Sequence, residues 1–337
     1  SGRSWQINVE TKFSHDATAL IEELETYVDW TRSAGARLTW TPFYAEPGET
    51  VWQDVLAHNT RINEAGVRVA PQMTAVPITL LLRFDDRSVF TAITGWEEAL
   101  RGFYKDSEDE KRRRLADPQV RATMKEGGGD PKNPVTPDFE LWTFTLAPTR
   151  PELAGRRLAE AARQDGVHPV DLLCDQILND DFATLIEIPI LNRSTSGVIR
   201  LLENDGTLLG LGDSGAHVMS VTNYRYPTFL LEELVQRAGL ISIELAIHRL
   251  TQVPAEFHGL FDRGVLETGR AADICVIDPK QVALGPIEVV HDLPGEAPRL
   301  VQAGSGFRAV YVNGVKTIDR DHPTGERPGR MLAAESS

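Results

Sequence analysis

Cysteine is scarce in this chain. Cys174 and Cys275 are the only two in 337 residues, both stand in apolar surroundings, and no Cys-x-x-Cys spacing occurs, so neither a disulfide framework nor a cysteine zinc site is indicated. Both are expected to be buried small hydrophobes. Also missing is any run of about 18 apolar residues, which excludes a membrane-spanning helix. The opening Ser1-Gly-Arg-Ser-Trp-Gln-Ile-Asn8 lacks the charged-then-apolar pattern of a secretory signal. Positive charge is in deficit: 35 Lys and Arg against 49 Asp and Glu give a net charge of −14 and a pI near 5.1. A field of that sign repels phosphate, which excludes nucleic acid and an anionic membrane as main partners. A cytoplasmic, acidic enzyme is the expectation.

What is present is an ordinary globular composition, 41% hydrophobic and 25% charged, in a chain long enough for one large α/β domain with an appendage or for two ordinary domains. Its organising stretch is Thr207-Leu-Leu-Gly-Leu-Gly-Asp-Ser-Gly-Ala-His217. A short apolar run closed by glycines reads as a strand buried on both faces, and a carboxylate just past the C-terminal end of such a strand is where α/β enzymes place their chemistry. Asp213 is therefore the lead catalytic candidate. The plainer reading makes Asp213-Ser214-Gly215 a polar turn in which Asp213 caps the next helix.

The N-terminal part repeats a strand-then-helix pattern. Residues 5–10 are strand-like, and 14–30 carry apolar residues at helical spacing (Ala17, Leu20, Ile21, Leu24, Tyr27, Val28). Residues 37–43 and 50–64 repeat the pair, and 66–73 form a third strand, with Gly35 and Gly66 at the helix-to-strand joints. Connections this short predict parallel βα units. Residues 77–140 interrupt the rhythm as an excursion over the barrel mouth: 84–96 is loop-like, 97–124 is charged and helical, and 127–134 is a cluster of Gly, Asp and Pro. Its basic run, residues 111–114, follows Glu108-Asp-Glu110 at helical spacing and reads as a solvated, internally paired face. Strands at 141–146 and 182–191 and helices at 150–166, 170–179, 227–239 and 242–252 continue the βα count. From Gly259 the texture changes to short strands and turns, including Ala309-Val-Tyr-Val-Asn-Gly-Val315, a hairpin with an Asn-Gly type I′ turn. The predicted organisation is thus 1–262 as later βα units and 263–337 as a C-terminal β subdomain.

The segment Gly264-Val-Leu-x-x-Gly-x-x-Ala-Asp-Ile-x-Val-Ile-Asp278, with Val312-Asn-Gly314 after it, resembles the C-terminal signature of the metal-dependent amidohydrolase superfamily. Within that superfamily, Leu209-Gly-Leu-Gly-Asp-Ser-Gly-Ala-His-Val218, Tyr226-Pro-Thr-Phe-Leu-Leu231, Arg249-Leu-Thr-x-x-Pro-Ala255 and Val289-Val-His-Asp-Leu-Pro294 are similar to the N-acyl-D-amino-acid deacylase (D-aminoacylase-like) branch. The resemblance implies an α/β fold, the back half of a TIM (β/α)₈ barrel followed by a small β-sandwich subdomain. It also implies a divalent metal, zinc in most relatives, that activates water and polarises an amide carbonyl. Asp213 matches the base that takes the proton of that water and passes it to the leaving amine, and is itself a metal contact. His217 is set to contact substrate or support the metal, or else to be a helix-start histidine tied to backbone. Ser214, Gln72, Asn8 and Tyr224 are the other substrate-contact candidates, and Glu10, at the end of the first visible strand, is a second metal candidate. Lys12, if carboxylated, is a less favoured one.

The sequence departs from the family pattern in two ways. Relatives with a full metal set carry histidines at the ends of the fifth and sixth barrel strands, where this chain has Thr41-Pro42-Phe43 and Pro71-Gln72-Met73; Gln72 is a poor zinc ligand. The β-sandwich segment and His-x-His strand with which such proteins begin are absent from this sequence. A barrel without its first strands has two open hydrogen-bonding edges, so the chain is expected to pair with the preceding half or with itself. The expected function is hydrolysis of a small N-acyl amino acid or similar linear amide; the alternative is a catalytically degenerate binding or scaffold protein, or an inactive fragment needing its missing half. The remaining histidines, 15, 58, 168, 248, 258 and 322, fall on helix or loop positions and read as structural or exposed; His291 has no assigned mechanism.

Overall fold

The computed structural model describes residues 4–8, 16–41, 45–46, 48, 50–84, 93, 95–127, 137–212, 215, 218–220 and 222–332. Two βα units and a third strand open it: β1 (Ser4–Asn8), α1 (Ala17–Ala34), β2 (Arg37–Thr41), α2 (Val51–Glu64) and β3 (Arg68–Met73). Asp16 caps α1 by accepting from Thr18 N at 2.8 Å, and Gly35 ends it in the left-handed region, φ 57°, which a residue with a Cβ adopts at a cost. Leu20, Leu24 and Val28 then lie four residues apart along one buried face. They meet Leu38, Trp40 and Val69 from β2 and β3 in one apolar core. Burial of Leu24, Val28, Leu38 and Trp40 is complete, and each large side chain so buried stabilises the fold by about 1.5–3 kcal/mol. The strands run parallel, as the short connections predict, with Asn8 opposite Thr41 and Trp40 opposite Pro71.

The next part of the chain builds a separate layer. It holds β4 (Ile78–Leu82), α3 (Glu108–Ala116), α4 (Pro118–Glu126), β5 (Thr143–Leu146), α5 (Leu158–Asp165), α6 (Pro169–Asn179) and β6 (Leu185–Leu191). β4 and β5 both pair antiparallel with β6. The strands expected at 141–146 and 182–191 as barrel members are therefore not parallel strands of the first sheet, and the excursion does not end near residue 140. Their buried faces pack instead into a second core that includes Trp96, Trp142, Phe144 and Ile186. Trp96 and Trp142 meet edge to face with centroids 5.5 Å apart. The basic run on α3 is internally paired as expected: Arg112 with Glu108 at 2.8 Å, Arg113 with Glu110 at 2.6 Å and Arg114 with Asp106 at 2.5 Å. Cys174 is buried, and burial pushes its thiol up to about 12.

One carboxylate knots this layer. Asp180, 5% exposed, follows α6 and accepts four hydrogen bonds: from Thr149 N at 2.7 Å, Thr149 Oγ1 at 2.5 Å, Gln176 Nε2 at 2.7 Å and Thr184 Oγ1 at 2.6 Å. Burial pushes its pKa up, but the hydrogen bonds from Thr149, Thr184 and Gln176 outweigh that and hold it below the ordinary carboxylate range.

The chain returns to the first sheet through α7 (Thr195–Leu202) and β7 (Leu208–Leu209), which pairs parallel with β3 to give the order β1-β2-β3-β7. α7 sits close against the segment after β2: a Cβ at Gly197 would lie 2.5 Å from the Ala45 Cβ. Gly197→Ala is expected to lower stability by about 1–3 kcal/mol through overpacking, read as a lower unfolding midpoint; an unchanged midpoint would count against this docking. Beyond β7 the helix predicted over 227–239 begins as one α-helical turn, α8 (Tyr226–Phe229), and continues as a π-helix, Leu230–Arg237. α9 (Ile243–Leu250) and α10 (Gln252–His258) follow.

The C-terminal part is all β. β9 (Ala283–Leu293) and β10 (Ala297–Ser305) make an antiparallel ribbon, while β8 (Ile274–Ile277), β11 (Phe307–Val312), β12 (Val315–Asp319) and β13 (His322–Pro323) make an antiparallel sheet in the order β13-β12-β11-β8. Asn313 and Gly314 turn between β11 and β12 with φ 47° and 79°, both positive as a type I′ turn requires. Cys275 corrects the expectation of two buried thiols. It lies on β8 and is exposed.

Candidate active site

The parallel sheet brings four strand ends together. Asn8 is opposite Thr41, and Met73 is opposite Leu209. Ile7, Leu38, Trp40, Val69 and Met73 belong to the helix-side core, so strand alternation turns Gln6, Thr39, Ala70 and Gln72 to the opposite face. That face is polar: Gln72, 9% exposed, donates from Nε2 to Gln6 Oε1 at 3.5 Å across the intervening strand.

The expected site residues divide sharply. Asp213, Ser214, His217, Glu10 and Lys12 lie outside the described residues, and Asn8 is placed only as the last residue of β1, its side chain outside them. Gln72 stands where the sequence puts it, one residue before the end of β3. Tyr224 is described, and its hydroxyl is engaged by backbone. It accepts from Gln302 N at 2.9 Å and donates to Leu300 O at 3.4 Å.

Both flanks of the loop after β7 are anchored. On the strand side, Gly210 N donates to Met73 O at 3.0 Å, and Gly212 packs so near Tyr224 that a Cβ there would lie 3.1 Å from its Cα. On the far side, Val218 O accepts from Leu300 N at 2.8 Å and Ser220 O accepts from Leu81 N at 2.7 Å. Arg225 extends the clamp, donating to Glu187 Oε1 on β6 and Gln302 Oε1 on β10, each at 2.9 Å. The described residues on either side of 213–217 are thus tied to β3, β4 and β10.

Sequence reasoning missed Asn192. Only 1% exposed, it follows β6 at φ 61° and joins the segments after β2 and β3. Its Nδ2 donates to Thr74 O and Val76 O, both at 2.9 Å, and its Oδ1 accepts from Ala45 N at 3.1 Å. Its own N–H donates to Glu46 Oε1; Glu46 Oε2 takes Arg193 Nε at 2.8 Å, and Ser194 N donates to Ala45 O at 2.9 Å. The local signal was an Asn between a strand and a Ser-capped helix, which reads equally as an ordinary turn.

Among the described residues no group of three His, Cys, Asp or Glu could hold a metal ion. On the polar face the described end of β3 offers the Gln72 amide, with Met73 turned into the helix-side core, and an amide does not fit zinc.

A family model described as "Amidohydrolase family" matches residues 130–318, more than half of the chain. The chain belongs to the amidohydrolase family. An N-acyl-D-aspartate deacylase from Alcaligenes xylosoxydans xylosoxydans is 36% identical over 106 residues, which cover 32% of this chain and 20% of that protein. A D-aminoacylase from the same organism is 29% identical over 185 residues, 54% of this chain and 35% of that protein. Among solved structures, a D-aminoacylase mutant in complex with CuCl2 superposes with a TM-score of 0.51 at 18% identity, over 98% of this chain and 56% of that one. That likeness shows the amidohydrolase fold. The chain spans about a fifth to a third of the curated relatives it matches and about half of the solved one.

Proposed function

We propose that this chain forms part of a metal-dependent hydrolase of non-peptide C–N bonds, acting on a small N-acyl amino acid or a similar linear amide. The observation that carries the reading is that the segment bearing Asp213, inside the family match, follows β7 at the shared C-terminal end of the parallel sheet. In this reading β1, β2, β3 and β7 are the later strands of a (β/α)₈ barrel, and residues 263–337 are a β-sandwich subdomain.

Asp213 takes a proton from the attacking water and delivers it to the leaving amine as the C–N bond breaks, so the proton gained in the first step is returned in the second. Ser214, His217, Asn8 and Gln72 contact substrate, and Tyr224 holds the far flank of the loop against β10. Asp213 and Glu10, themselves outside the described residues, are the proposed metal contacts. A divalent metal held there, zinc in our reading, would supply an acidified water and polarise the amide carbonyl.

We further infer that β1 and β7, which pair on one side only among the described residues, are completed by a further segment of this fold or by a second copy. The proposed location is cytoplasmic; among the described residues no helix is long and apolar enough to cross a membrane.

Two measurements test the reading. Elemental analysis of the full protein is expected to give at least one zinc or other divalent ion per chain, and chelation is expected to abolish hydrolysis of N-acyl amino acids, with activity returning on metal addition. A folded, full-length protein without metal or amidase activity overturns it. That result favours a binding or scaffold protein, a reading supported by Thr41 and Gln72-Met73 standing at strand ends that offer no imidazole.

A further inference from the structure

We infer that Asn192 is a positioning residue for the candidate active site, a side chain through which the antiparallel layer fixes the segments after both β2 and β3. The catalytic part of this inference rests on the hydrolase reading; the mechanical part does not.

The geometry leaves the amide no freedom. Both Nδ2 protons are directed to carbonyls of the post-β3 segment, Thr74 O and Val76 O, while Oδ1 takes the N–H of Ala45 from the post-β2 segment. An amide is the side chain that offers two donors and an acceptor on one short, planar group, and Asn tolerates the left-handed backbone that aims it there. The neighbours reinforce the grip from the same turn: the Asn192 N–H and the Arg193 guanidinium hold Glu46, and Ser194 N holds Ala45 O. These two segments follow β2 and β3 of the parallel sheet, and β3 pairs with β7, the strand that Asp213 follows in sequence. A shift of about 1 Å in groups around a reacting centre is enough to lower a rate roughly 100-fold. Fixing both segments to β6 is therefore a means of holding the wall of the site.

Two substitutions separate the amide from the backbone. Asn192→Gly keeps the left-handed conformation and removes all three side-chain hydrogen bonds; Asn192→Asp keeps an acceptor for Ala45 N but sets a carboxylate against the Thr74 and Val76 carbonyls. By hydrogen exchange, the Ala45 amide is expected to exchange at least tenfold faster in Asn192→Gly and to stay protected in Asn192→Asp, with amides of β4 and β5 unchanged in both. In the unsubstituted protein the Ala45 amide is expected to open together with those of β6, with the same denaturant dependence. At a temperature well below unfolding, kcat for an N-acyl amino acid is expected to fall at least tenfold in both variants with KM within about twofold. Unchanged Ala45 exchange in Asn192→Gly, or independent opening of Ala45 and β6, overturns the clamp. Faster exchange with kcat and KM intact reduces Asn192 to a purely structural residue and overturns the positioning role. If the unsubstituted protein hydrolyses no amide, the hydrolase reading fails while the exchange results still decide whether the clamp exists.

Discussion

Asp213→Asn is expected to lower kcat by about 100- to 10,000-fold while the protein stays folded, because an amide cannot take the proton of the attacking water or return it to the amine. The size follows from what general acid–base catalysis contributes when one group serves both steps. Asn has nearly the same volume as Asp, and the flanks of the loop are secured by backbone hydrogen bonds at Gly210, Val218 and Ser220, so circular dichroism and the unfolding midpoint should be nearly unchanged. The measurement is steady-state turnover of an N-acyl amino acid across pH. In the unsubstituted protein the limb of the kcat profile that rises with pH should report the base; in the variant that limb should be missing. Retention of more than a tenth of the activity removes Asp213 from the mechanism.

Asp180→Ala carries the largest expected loss of stability, about 3–5 kcal/mol, since it removes the acceptor of four hydrogen bonds, two of them from the buried Gln176 and Thr184 and two from Thr149. Trp96 and Trp142, fully or almost fully buried in that core, make tryptophan fluorescence a direct probe of urea unfolding. Asp180→Asn should lose less, about 1–2 kcal/mol, because it keeps the volume and one acceptor oxygen. The pH dependence has a fixed sign. The folded pKa of Asp180 is depressed, so its contribution is present above the unfolded carboxylate value of about 3.9 and is lost as pH falls through the lower folded value. The difference in midpoint between the unsubstituted protein and Asp180→Ala should therefore be constant near neutrality and shrink below about pH 4. A difference that stays constant down to pH 2 would show that the carboxylate charge is not what the knot uses.

These two residues mark the limits of what the sequence discloses. The βα units were legible because their signals are local: Leu20, Leu24 and Val28 at helical spacing, Gly35 at a left-handed cap, and an apolar strand after each helix. The Asn-Gly hairpin was legible for the same reason. The direction of β5 and β6 was not. A run such as Leu-Ile-Glu-Ile-Pro-Ile-Leu over Leu185–Leu191 has the composition of a buried strand whichever way its neighbours run, and its partners lie far along the chain. Asn192 illustrates the same limit more strongly, since its side chain meets residues 116 to 147 positions away. Cys275 was misplaced because an apolar context marks a strand without saying which of its faces is covered. The place of Gln72 near the end of β3 was legible by counting along the strand, whereas the engagement of the Tyr224 hydroxyl depends on β10, which no local pattern ties to it.

The fastening of residues 218–225 to β10 also bears on the order in which the molecule is made. Val218, Tyr224 and Arg225 are held by Leu300 and Gln302, some 76 to 82 positions later. While the polypeptide is still emerging from the ribosome, the βα units and the antiparallel layer have all their own residues in hand, and they can fold as they appear. The fastening of residues 218–225 can begin with Ser220 O on Leu81 and Arg225 on Glu187, but it cannot be completed until the β9–β10 ribbon has been translated. Its completion therefore comes late in biogenesis, after both apolar cores, and closure of so long a loop is a slow, non-local step. A nascent chain arrested ahead of Ala297 would have its two apolar cores while residues 218–225 are held only through Leu81 and Glu187.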